Sequence, residues 1–174
     1  MPLDLQYMRA FLMNLVSVLL LLSCSDGDLQ IETIDFDSVT VQTCKTVTTD
    51  TEVFFKINSE EALILTLQSG LLNNEASTET ITSAVPSRSS IVYRIFNETV
   101  TSSYFCSDIP PTSPTVVEEI VAEGGEVLIT TIAVDDTTFE HTIQLQGISL
   151  VNDQGERITD LTINDFGTVT TTSN

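Results

Sequence analysis

The strongest constraint on this chain is an apolar alternation of period two that recurs from residue 53 onward. Val53, Phe55 and Ile57 alternate with Phe54 and Lys56, and Leu63, Leu65 and Leu67 alternate with Ile64, Thr66 and Gln68. Ile91, Tyr93 and Ile95 alternate with Val92, Arg94 and Phe96. Successive side chains of a strand point to opposite faces, so each run reads as a strand with one face inward. Threonine supplies 26 of the 174 residues and tryptophan none. Such β-branched residues suit a pleated surface, so composition leans the same way.

The rest of the chain extends the pattern. Segments 31–36 and 101–106 are weaker strand candidates, and Ser59-Glu60-Glu61-Ala62 offers one helical turn before the Leu-rich run. Residues 73–88 are polar and read as a long loop, while 108–114 carries three prolines and reads as an extended connection. Segments 116–122 and 126–134 flank Gly124-Gly125, which predicts a tight hairpin. Asp135-Asp136-Thr137-Thr138 turns again into a strand over 140–151. Ile143 and Leu145 share one face of it, but Ile148 and Leu150 continue out of phase, which predicts a bulge at Gly147. Asn152-Asp153-Gln154-Gly155 turns into a strand over 157–163, and 166–171 closes the sheet. Phe54 and Phe96 lie opposite the inward faces of their strands and are expected under a second layer. The expected fold is all-β: an antiparallel β-sandwich, immunoglobulin-like, after an N-terminal signal helix.

The chain has three cysteines, an odd count that would demand an explanation in an exported protein. Cys44 and Cys106 form a natural pair for an oxidising compartment, provided Cys24 is otherwise consumed. That disulfide would close about 63 residues and contribute roughly 4 kcal/mol by chain-entropy reasoning. Two reduced, buried cysteines are the alternative. No Cys-x-x-Cys supports a redox motif or a zinc site.

The fate of Cys24 is written in the residues before it. Residues 10–22 are apolar except for Asn14 and Ser17, and Arg9 precedes them. That length suits a secretory signal and falls short of the roughly 20 residues that span a bilayer. Met8-Arg9 reads better as a start than Met1. Leu21-Leu22-Ser23-Cys24 resembles the lipobox of bacterial lipoproteins. The resemblance implies cleavage before Cys24 and a lipid on its sulfur. Ser25-Asp26-Gly27-Asp28 resembles the acidic tether of small exported lipoproteins of the Bacteroidota, which implies attachment to the outer membrane, on its periplasmic side or at the cell surface. The chain thus divides into a signal peptide over 1–23, a tether over 24–30 and one β-sandwich domain over 31–174.

Net charge is −19 for the whole chain, and all of it falls after residue 23, because Asp4 and Arg9 cancel before it. Phosphate backbones and anionic headgroups repel such a domain, so nucleic acid is excluded as a partner and membrane contact falls to the lipid. His141, the one histidine, is expected at the surface of its strand. No Gly-x-Ser-x-Gly, His-Glu-x-x-His, Ser-x-x-Lys or P-loop is present. Asp135, Asp136 and Asp153, with Asp35, Asp37 and Glu156, are weak calcium candidates in turns or on one strand face. The expected function is a lipid-anchored, non-catalytic binding or structural module without cofactor, its protein or glycan partner unspecified. The rival readings are a calcium-dependent adhesion module and a glycan hydrolase using two carboxylates roughly 5–10 Å apart.

Overall fold

A computed structural model describes residues 33–173 apart from 110, 159 and 160. The chain divides into two units, Met1–Gln30 and Ile31–Asn174, and every described residue lies in the second. The signal segment, Cys24 and the tether therefore lie outside the described residues.

The domain is an all-β sandwich of antiparallel sheets. Its strands are β1 (Ile34–Asp35), β2 (Val53–Asn58), β3 (Glu61–Thr66), β4 (Ile81–Ala84), β5 (Ser90–Phe96), β6 (Val116–Ala133), β7 (Thr138–Val151), β8 (Arg157–Ile158), β9 (Leu161–Thr162) and β10 (Asp165–Thr172). One short helix, α1 (Ser102–Cys106), separates β5 from β6. Hydrogen bonding runs in the order β10-β7-β6-β5-β3-β2, with β4 added to β6 and β8 to β7. A separate parallel pair joins β1 to β9.

Strand β6 is where the two sheets meet. Its first half pairs with β5 and its second half with β4, while β7 runs beside it across the bend. The hairpin expected at Gly124-Gly125 is therefore replaced by a bulge inside one 18-residue strand. The burial phase gives the reason. Ile120 and Ala122 face the core before the glycines, and Val127, Ile129 and Thr131 after them. An odd shift is needed to keep apolar residues inward as the strand changes sheets, and a bulge supplies it. Register slips on both sides of Gly124, and Gly125 takes φ +118°. The partner strand slips at the expected place: Gly147 has φ +63°, and the buried set passes from Ile143 and Leu145 to Ile148 and Leu150.

Four other expectations give way to packing. Ser59-Glu60 forms a tight β2–β3 turn rather than a helical one, with Ser59 at φ +57°. Segment 101–106 is helical at α1, because adjacent Tyr104 and Phe105 both cover Phe96, which a strand would forbid. The expected loop 73–88 contains β4, whose inward Ser83 is polar and bonds Ser89 Oγ at 2.8 Å, so hydrophobic alternation does not reveal it. In β2 the phase is reversed: Phe54 and Lys56 face the main core, Phe55 faces the second layer, and Val53 is 48% exposed.

The main core gathers Phe36, Phe54, Leu63, Leu65, Ile91, Tyr93, Val127, Ile143, Leu150 and Phe166, among others. A smaller cluster of Ala62, Phe96 and Val100 lies on the opposite face of β3 and β5, with Tyr104 and Phe105 packed against it. Phe96 is thus buried under a second layer, as its position in β5 predicts.

Candidate functional site

Cys44 and Cys106 are joined, with Cα atoms 5.1 Å apart. The bond ties the loop before β2 to the end of α1. Beside it Phe105 stacks on Phe55 at 4.6 Å between ring centres, and Tyr104 meets Phe96 edge-on at 4.9 Å.

His141 is not a surface residue. Strand β7 turns Phe139, His141, Ile143 and Leu145 inward together, and His141 is fully buried. The surface expectation fails because flanking Glu140 and Thr142 are polar, while the two-residue spacing from Ile143 puts the imidazole on the core face. Its Nδ1 and Nε2 each lie 2.8 Å from a threonine hydroxyl, on Thr131 and Thr171. Thr171 donates in turn to Asn74 Oδ1 at 2.6 Å. A hydroxyl that gives its proton to Asn74 can only accept from the ring, so Nε2 carries the hydrogen and Nδ1 accepts from Thr131. Burial pushes the His141 pKa below its ordinary value.

Lys56 is the second buried polar group, 1% exposed. Its ammonium donates to the carbonyls of Phe36 and Asp165 at 2.6 Å each and lies 5.6 Å from the centre of the Phe166 ring. Burial lowers its pKa, and the charges of Asp165, Asp37 and Asp35 oppose that shift. Asp37 Oδ1 accepts from the Asp165 amide at 2.9 Å, and Asp35 Oδ1 from the Asp37 amide at 3.2 Å. The carboxylates paired by sequence spacing therefore serve the junction of β1, β2 and β10. Sequence reasoning missed Lys56, Thr131, Thr171 and Asn74. The available signal was Lys56 itself, a lone cation inside Val53-Phe54-Phe55-Lys56-Ile57.

The turn aspartates do not converge. Asp135 and Asp136 precede β7 and Asp153 follows it, so they sit at opposite ends of a 14-residue strand. Asp135 Oδ1 already accepts from the amides of Thr137 and Thr138 at 2.8 and 2.7 Å, which lowers the carboxyl pKa. In the other turn it is Asn152 that accepts from the amides of Gln154 and Glu156. No group of three or more His, Cys, Asp or Glu side chains among the described residues is placed to hold a metal ion. Open depressions lie on the surface of the described residues. One of about 410 Å³ lies along 73–81 with Glu75 and Glu79, and one of about 340 Å³ lies along 43–53 beside Cys44. Comparison with known protein families, with characterised proteins and with solved structures finds no match.

Proposed function

We propose that this chain is a lipid-anchored protein of the bacterial outer envelope whose β-sandwich acts as a non-catalytic binding or structural module. The observation that carries the reading is cysteine parity. Cys44 and Cys106 consume each other, which leaves Cys24 as the remaining cysteine of the three, directly after an apolar segment that resembles a lipobox. A disulfide across a loop of this size belongs to an oxidising compartment, in keeping with export. The acidity supports attachment by lipid rather than by charge, since a domain this negative is repelled by anionic headgroups. An immunoglobulin-like character is claimed only as architecture, two antiparallel sheets over one core. Metabolic labelling with a palmitate analogue tests the anchor: the wild-type chain takes up label and Cys24→Ala does not. Equal labelling of both would refute it.

A further inference from the structure

Helix α1 is held to the sandwich by few bonds. Its hydrogen bonds stay within residues 101–107: Tyr104 N–H donates to Thr101 O at 3.0 Å, Ser107 N–H to Ser103 O at 3.1 Å, and the Thr101 and Ser103 hydroxyls pair at 2.7 Å. No side chain caps the helix, and none of its five residues is buried. The last backbone bond to the body precedes it, from Val100 N–H to Ser59 O at 2.9 Å. What fastens α1 is therefore ring packing on Phe55 and Phe96 plus one covalent bond. That bond reaches a loop that is pinned two residues before Cys44, where Gln42 and Phe55 exchange backbone hydrogen bonds at 2.8 and 2.9 Å, and whose hydrogen bonds after Cys44 are local, between Thr48 and Thr51. Val47 of this loop packs on the main core. Both cysteine residues are exposed.

We propose that Cys44–Cys106 is a redox latch: a dithiol reductant opens it and releases α1 from Phe55 and Phe96 while the sandwich stays folded. The chemistry is two thiol–disulfide exchanges. A thiolate of the reductant attacks one cysteine sulfur, the other sulfur leaves and takes a proton, and the reductant's second thiol then displaces the first cysteine. The protein disulfide becomes two thiols, and the reductant becomes a disulfide. The opening is local because Phe55, Phe96, Tyr104 and Phe105 all lie outside the main core, and no ladder bond passes through α1. The product is an apolar face on β2, β3 and β5, formed by Phe55, Phe96, Ile57 and Ile64.

The test uses the full chain titrated with dithiothreitol under native conditions. The latch predicts two new thiols from these cysteines, a several-fold rise in bis-ANS fluorescence, new chymotryptic cleavage at Tyr104 and Phe105, and an unchanged far-ultraviolet strand spectrum. Reoxidation reverses all three changes, and Cys44→Ser with Cys106→Ser reproduces the reduced state without reductant. Reduction with no rise in dye binding would overturn the proposal, because the cover then stays in place without its bond. Loss of the strand spectrum alongside the rise would overturn it too, because the bond then holds the whole fold. A disulfide inert to the reductant in the native protein would do the same.

Discussion

At the scale of single residues the buried basic side chains of His141 and Lys56 carry the sharpest expectations. His141 sits neutral in a chain of hydrogen bonds from Thr131 through the ring to Thr171 and Asn74. A second proton on the ring would set Nδ1–H against the hydrogen Thr131 now donates. The folded-state pKa lies below the unfolded value, so the unfolded chain binds the proton first as pH falls. The stability it contributes is complete above about pH 6.5 and is lost below it, by at most about 1.4 kcal/mol per pH unit. Chemical denaturation at pH 7.5 and 5.5 checks this: wild type loses more stability on acidification than His141→Gln. His141→Ala should cost about 2–4 kcal/mol at pH 7.5, since it opens a cavity and strands two hydroxyls. Lys56 works in the same sense at higher pH. Burial disfavours its charge, so the unfolded chain holds this proton to higher pH than the folded one. The resulting penalty is full below the folded-state pKa and lifts as pH rises from there toward 10.5. Lys56→Met leaves the Phe36 and Asp165 carbonyls without their donor and should cost about 2–4 kcal/mol near neutral pH. Its stability should also lack the alkaline rise that the wild-type chain shows.

Among the elements, the long strands decide the architecture and the glycines decide where they bend. Gly125 has no room for a side chain: a Cβ there would lie 2.6 Å from Ile148 Cδ1 and 2.9 Å from the Gln146 carbonyl oxygen. Gly70 also has positive φ, at +79°, but open space around it. Gly70→Ala therefore pays only backbone strain, about 1 kcal/mol, whereas Gly125→Ala adds a clash and should cost about 3 kcal/mol or more. Thermal melts of both variants measure the difference, and equal costs would contradict the bulge. Alternation made β3, β5 and the phase slip at Gly147 legible, because their inward residues are large and apolar. It misled in β2, where Phe54 and Phe55 are both buried, one on each side of the sheet, and apolarity alone cannot say which faces the main core. It could not reveal β4 or the inward Thr131, since their inward side chains are hydroxyls, buried because they pair with Ser89 and with the His141 ring. Gly124-Gly125 suits a turn and a bulge equally by local chemistry, and only the sheet change along β6 separates the two.

At the scale of the whole molecule, three properties point the same way: a charge of −19, a disulfide outside the strand ladders and a cysteine left over at the end of an apolar segment. The acidic surface is repelled by anionic headgroups, so the proposed residence at an envelope would rest on the lipid proposed for Cys24. The disulfide was legible from parity alone, yet its place was not, since Cys106 lies on a helix whose turn is set by packing on Phe96. No motif led to the interior of the sandwich, because what distinguishes it, a neutral imidazole and a clamped ammonium, is assembled from residues as far apart as Phe36 and Asp165. Mass spectrometry of the membrane-extracted protein tests the central claim most directly. The account predicts a mature chain that starts at Cys24 and carries acyl mass on that residue. A chain whose Cys24 sulfur is free, or whose N-terminus lies elsewhere, would contradict it.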